Sequence, residues 1–295
     1  MDPWFAASTK IAILPPATCQ ACHGDQPHKG TTAGGLLGAV SRADHLNAHT
    51  RTLACQTCHI PEFARGGVPT KMTWDWSTAG QLTPDGKPFQ RKDAHGHVIY
   101  DSKKGDFTLG ENVVPEYRWF NGKVSYTLQS DRIDPSQVMP MNTFHGEPGA
   151  ADARIWPVKR FLGKQPYDLE HLTLLVPHTA TPDDTAFWYN FDWVKALDAG
   201  AAATGQPYSG KFGFVAAEML WPITHMVAPK EKALDCAACH AADGRMEGVP
   251  GVWLPARDRV AWLDKVGFGL AGLVLVGVMI HALLRMVGGM RRKHS

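Results

Sequence analysis

The chain of 295 residues is long enough for one large domain or two ordinary ones, and its 44% hydrophobic content excludes global disorder. A formal charge of +2 gives no basis for nucleic-acid binding. Six cysteines and 14 histidines carry most of the remaining information.

The start, Met1-Asp2-Pro3-Trp4-Phe5-Ala6, lacks the basic, apolar and cleavage regions of an export signal. Either a signal has been removed or the chain begins partway through a longer product, and the early position of the first cysteine motif favours the second. Cys19 and Cys22 are followed by His23, and Cys55 and Cys58 by His59, with a Gly-rich stretch from Gly30 to Gly38 between them. Cys236 and Cys239, followed by His240, repeat the pattern.

C-x-x-C-H is the attachment signature of c-type haem. Two thiols add to the two vinyl groups on one edge of the porphyrin, and the adjacent histidine reaches the iron and helps set its potential. Any single pair could instead be half a zinc site or a redox dithiol. Three pairs divide awkwardly into four-ligand zinc sites, and a dithiol motif has no reason to recur with histidine each time. The pattern therefore predicts three covalently bound haem c groups. Such haems are attached outside the cytoplasm, so the domain is expected to be exported.

Residues 60–235 contain no cysteine and are rich in Pro, Gly and aromatic residues, which predicts mostly irregular chain with short elements. Lys123 to Leu128 alternates like a short strand. A helix is predicted with Thr181 as cap, Pro182 in its first turn, Asp183 and Asp184 facing the dipole, an apolar face of Phe187, Phe191 and Val194, and a stop at Gly200. The clusters Trp74-Asp75-Trp76, Trp119-Phe120 and Phe187-Trp188-Tyr189 fit either a porphyrin face or ordinary core. After the third motif comes a Pro/Gly-containing linker.

From Val266 to Leu284 no Asp, Glu, Lys or Arg occurs. These residues make a helix of about 28 Å, close to the hydrocarbon thickness of a bilayer. Trp253 and Trp262 precede it as an interfacial belt, and Arg285, Arg291, Arg292 and Lys293 follow it, which places this end in the cytoplasm. Gly267, Ala271, Gly272 and Gly277 would let a partner helix approach. His281 lies near the cytoplasmic end; a haem b or quinone site is conceivable there, though a histidine without a ligand role fits that depth better.

The three motif histidines leave 11 others. His28, His49 and His225 are the strongest candidates for the open face of a haem. His28 follows His23 by five residues and His49 precedes Cys55 by six, so each is expected to serve a neighbouring haem rather than its own. His45 could share the helix face of His49. His145, His171 and His178 form a second tier, and His95 and His97 are expected to be exposed. The surplus over three points to haems supplied by another polypeptide or an upstream segment.

The run from Ala54 through Cys55-Gln56-Thr57-Cys58-His59-Ile60-Pro61, on to Gly67-Val68-Pro69-Thr70-Lys71-Met72 and Trp74-Asp75-Trp76-Ser77-Thr78, resembles the octahaem tetrathionate reductase family. So do Gly163-Lys164-Gln165-Pro166-Tyr167-Asp168, Tyr208-Ser209-Gly210 and, most specifically, the block from Trp221-Pro222-Ile223-Thr224-His225 to Leu234. The resemblance covers about residues 19–240 and only the C-terminal half of the family pattern. It implies that His28, His49 and His225 stand where the family places ligand histidines. Family members carry eight haems, one attached through C-x-x-C-K. This chain has three motifs and no C-x-x-C-K, so the family's reduction of tetrathionate, nitrite or hydroxylamine does not transfer to it alone.

Together these readings predict a mainly α fold with much irregular structure. The multihaem cytochrome c domain is expected at residues 1–242, a linker and interfacial segment at 243–262, and a transmembrane helix with a basic cytoplasmic tail at 263–295. The expected partners are membrane lipid, a membrane-embedded quinone-linked or cytochrome b protein, and a second multihaem chain. The expected role is electron transfer from a periplasmic haem domain, with a half-reductase completed by another chain as the alternative.

Overall fold

The computed structural model describes residues 18–29 and 42–293; the Gly-rich stretch and the N-terminal start lie outside them. The chain divides into two units, residues 1–234 and 235–295.

The first unit opens with three short helices, α1 (Cys19–His23), α2 (Arg42–His49) and α3 (Cys55–His59). Strands β1 (Thr70–Asp75), β2 (Gln90–Lys92), β3 (Val98–Asp101), β4 (Gly105–Gly110), β5 (Glu116–Phe120), β6 (Val124–Tyr126), β7 (Met139–Pro140), β8 (Asn142–Phe144) and β9 (Arg154–Asp168) follow. Helices α4 (Phe187–Asn190) and α5 (Trp193–Thr204) then lead to β10 (Phe212–Pro222). Eight strands form one sheet in the order β2-β3-β4-β1-β9-β10-β7, with β5 also on β9, while β6 and β8 make a separate ribbon.

The expectation of a mainly α fold is therefore wrong: the cysteine-free stretch is a mixed sheet. Its spine is the antiparallel pair β9–β10, in register from Phe212 opposite Asp168 to Pro222 opposite Val158. One edge of β9 takes β10. The other is shared by β1, parallel at Leu162 to Lys164, and β5, antiparallel at Arg154 to Val158. Pro157 and Pro166 interrupt β9 without ending it, although proline usually marks an edge strand. Gly163 eases the close approach of β1 there, because a Cβ would stand 3.0 Å from the Trp74 carbonyl oxygen.

The strand read at Lys123–Leu128 is present as β6, paired to β8 from Val124 opposite Phe144 to Tyr126 opposite Asn142. The helix read from Thr181 to Gly200 is not continuous. Asp183 accepts the N–H groups of Thr185 and Ala186 and bends the chain, and Phe191 adopts a left-handed conformation (φ 56°) between α4 and α5. Asp192 is the true cap of α5, accepting from Val194 and Lys195 N–H, and Gly205 terminates it. Gly200 lies inside α5 because a Cβ would overlap the Val176 carbonyl.

Among the described residues, two apolar clusters pack in this unit. Ile133, Met139, Leu174, Val215 and Ala217 pack on one side of the spine with Met141 and Tyr167. Ile60, Phe63, Ala64 and Ile223 pack with Met72 and Val113 directly after α3. Ile60, fully buried, is the residue that ends the second cysteine motif, so the motif is rooted in core.

The second unit contains α6 (Cys236–His240), α7 (Pro255–Asp258) and α8 (Ala261–Lys293). Its connecting turn folds back on α6: Arg245 N–H donates to the Ala238 carbonyl, and Gly244 sits where a Cβ would stand 2.6 Å from the Cys239 carbonyl oxygen. The Arg257 guanidinium clasps the turn, donating to the carbonyls of Glu247 (2.6 Å) and Val252 (2.7 Å) and to Asp258. Residues 261–289 of α8 form a helix long and apolar enough to cross a membrane, with a mean hydropathy of 2.2 in its most apolar stretch.

Candidate haem centre

Each C-x-x-C-H motif forms a single helical turn. Residues three and four apart share a helix face, so the second cysteine and the histidine are both set beside the first. The turns are too short to persist alone, and each is fixed differently. Thr18 Oγ1 caps α1 by accepting from Ala21 N–H (3.2 Å), and Asp235 caps α6 by accepting from Ala238 N–H (2.8 Å).

The middle turn, α3, has no side-chain cap and is held by tertiary contacts instead. Ala54 N–H donates to the Ile155 carbonyl (3.0 Å), Ile155 N–H to the Thr52 carbonyl (2.8 Å), and the buried Thr57 hydroxyl to the Ile155 carbonyl (2.7 Å). On its other side Ala228 N–H reaches the His59 carbonyl (2.8 Å) and Leu234 N–H the Cys58 carbonyl (3.0 Å). The start of β9 and the segment after β10 thus clamp this motif between them.

The His28 ring lies against that of His59, with centroids 6.3 Å apart and planes within 11°. Imidazole nitrogens bind a metal at about 2 Å, so two rings that would share one iron must stand several ångströms apart rather than in contact. The separation fits an iron between the rings. Among the described residues no group of three or more His, Cys, Asp or Glu side chains gathers to hold a bare ion. Two imidazoles are the set that an iron already bound by four porphyrin nitrogens can accept.

Asn47 on α2 orients His28. Its Oδ1 accepts from both His28 N–H and Nδ1 at 3.0 Å, and its Nδ2 donates to the His28 carbonyl at 3.0 Å. Because Nδ2 must be the donor, Oδ1 must be the acceptor, and the His28 proton is placed on Nδ1. Nε2 is left with its lone pair, as a metal-binding imidazole requires. Burial, then the neighbouring His28 and His23, lowers the proton affinity of His59, which favours its neutral, metal-binding form. Burial and the adjacent Cys19 thiol raise Cys55, so the first two motifs meet at these sulfurs. Burial likewise raises Cys239.

The other predicted ligands are placed less closely. His49 ends α2, half-buried, with its carbonyl accepting from Thr52 and Leu53 N–H. His225 is exposed, in the loop whose Met226 carbonyl takes a bond from Arg65. His45 is exposed on α2. The second-tier histidines have polar partners within the β-domain: His145 with Ser125 Oγ (3.0 Å), His171 with Asp168 (3.2 Å) and His178 with Asp183 (2.8 Å). His95 is exposed and His97 half-buried against Asp93. Asn47 was not visible as a site residue in the sequence; its only signal is its place between His45 and His49 on one short helix.

A protein that presents cysteine pairs and an imidazole pair in this way is of the c-type cytochrome class, which holds haem covalently. Residues 71–243, spanning the sheet and the third motif, match the family model described as Cytochrome c bacterial, and the chain belongs to that family. It is also similar to the octaheme cytochrome c of Shewanella oneidensis, whose crystal structure it matches with a TM-score of 0.68 and 37% identity. The match covers 82% of this chain and 52% of that one, so the chain spans about half the length of its relative. No functionally curated protein matches it. The chain is a multihaem c-type cytochrome with an electron-transfer function.

Proposed function

We propose that this chain carries three haem c groups, is anchored in the membrane by α8, and passes electrons between a membrane partner and further haems of a larger array. The observation that carries the reading is the His28–His59 pair, 6.3 Å apart, with Asn47 fixing the free nitrogen of His28. Cys19 and Cys22, Cys55 and Cys58, and Cys236 and Cys239 would hold the porphyrins, with His23, His59 and His240 as their proximal ligands. His28 would close the second face of the iron at His59, and His49 and His225 are the further distal candidates. Bound haem supplies one-electron iron chemistry. His28 and His59 together would close both faces of one iron, which would favour electron passage over substrate binding there.

The length and apolarity of residues 261–289 support the anchor. The basic residues after it support a cytoplasmic C-terminus and a periplasmic haem domain. Membrane lipid, a quinone-linked or cytochrome b protein and a second multihaem chain are the partners this arrangement fits.

The 52% coverage of the octaheme cytochrome supports a second reading, in which the chain is part of a reductase of tetrathionate, nitrite or hydroxylamine with its catalytic haem on another chain or segment. Redox titration of the purified chain, followed by assay with those three substrates, tests the first. Reversible reduction of every haem with no turnover is expected. Turnover by this chain alone would overturn it, and turnover that appears only with a co-purifying multihaem chain would favour the second reading.

A further inference from the structure

The start of β9 carries a feature that electron transfer does not use. A cavity of about 370 Å³ lies between the turn after α2, strand β5 and a loop of small residues at 149–153. Arg51, Thr52, Trp119 and Arg154 line it, and no acidic side chain does. Neither guanidinium forms an ion pair among the described residues. The nearby carboxylate, Asp152, is engaged with the Asn121 amide (3.3 Å) and is not part of the wall.

We propose that this cavity is a binding site for a small divalent oxyanion held between Arg51 and Arg154. Guanidinium groups present planar forks of donors that match oxyanions, and charge-assisted bonds of this kind are about twice as strong as neutral ones. The volume falls in the range of small-ligand sites, about 300–1,000 Å³, and leaves room for part of the anion's hydration shell. Thr52, which carries a hydroxyl, also lines the wall.

The site is mechanically tied to the second cysteine motif. Thr52 and Ala54 exchange backbone bonds with Ile155, the residue after Arg154, and the Arg154 charge reaches the Cys55 sulfur. Cys55 would hold the haem of this motif through its sulfur. An anion held here would add negative charge beside that haem, stabilise its oxidised state and lower its potential.

Titration of the full-length holoprotein in detergent with sulfate, against chloride at matched ionic strength, tests the site by calorimetry. Saturable binding of one sulfate per chain is expected, weakened at least ten-fold in R51Q and in R51Q/R154Q. Arg51 is exposed, so R51Q retains the fold, and unchanged haem content and low-spin spectrum verify this. Binding that is not saturable, or that is equally tight in the double variant, would overturn the proposal. A negative shift in the potential of one haem, present with sulfate and absent in R51Q, is the second expected readout. The calorimetric result does not depend on electron transfer, so its failure is separable from failure of the proposed function.

Discussion

The imidazole centroids of His28 and His59 lie 6.3 Å apart with nearly parallel planes, although 31 positions separate the two residues in sequence. Sequence spacing places His28 beside the first motif, while the fold places it against the second. Its replacement by alanine should convert one haem from low-spin to high-spin without loss of covalent haem. An unchanged absorption and EPR spectrum would remove His28 from the ligand set.

Asn47 should matter nearly as much as a ligand. Partners that orient a metal-bound histidine typically contribute about 10–100-fold in affinity. In N47A the His28 ligand should detach more readily, seen as carbon monoxide binding to the reduced protein at one haem. N47D, which keeps an acceptor for Nδ1, should restore the closed state. Equal carbon monoxide binding in the wild type and both variants contradicts this role.

Asp168 anchors the sheet. Fully buried, it accepts from Glu170 N–H (2.8 Å), His171 N–H (2.9 Å), and the N–H (2.6 Å) and hydroxyl (2.9 Å) of Ser209. Burial opposes its charge, yet these N–H bonds outweigh burial and hold the carboxyl well below the usual range. D168A should cost about 3 kcal/mol at pH 7, because four donors converging on the buried carboxylate lose their acceptor. A depressed carboxylate stabilises fully above its unfolded value, near pH 4, and loses that contribution as pH falls through its folded value. The gap between wild type and D168A in denaturant melts should therefore narrow below about pH 4. A gap that widens there contradicts the assignment.

The membrane anchor is tested by charge. An arginine at the centre of a spanning helix costs about 2.5–3.5 kcal/mol on insertion scales. L275R/V278R should move the protein from carbonate-washed membranes to the soluble fraction with its haem content intact. Full retention in the membrane contradicts α8 as the anchor.

The sequence was most informative where a motif fixes spacing, as in Cys55-x-x-Cys58-His59, which forms one helical turn, and where an unbroken apolar run fixes length, as in Val266 to Leu284, which lies within α8. The short strand around Val124 was also legible from alternation. The large sheet was not. In β9 Pro157, Gly163 and Pro166 break the pattern of a strand, and the strand persists because β5 pairs beside Pro157, β1 and β10 beside Gly163, and β10 beside Pro166. The misplaced helix start has a similar cause: Asp183 can cap a helix or bend a turn, and its bond with His178 selects the turn. Asn47 acts through a contact 19 residues away in sequence, which no local pattern reports.

The haem count of the purified full-length chain tests the central claim most directly. A pyridine haemochrome assay set against protein concentration should give three haem c per chain, with no thiol free to react after denaturation, since all six cysteines belong to the motifs. Fewer than three haems together with reactive thiols would contradict the account.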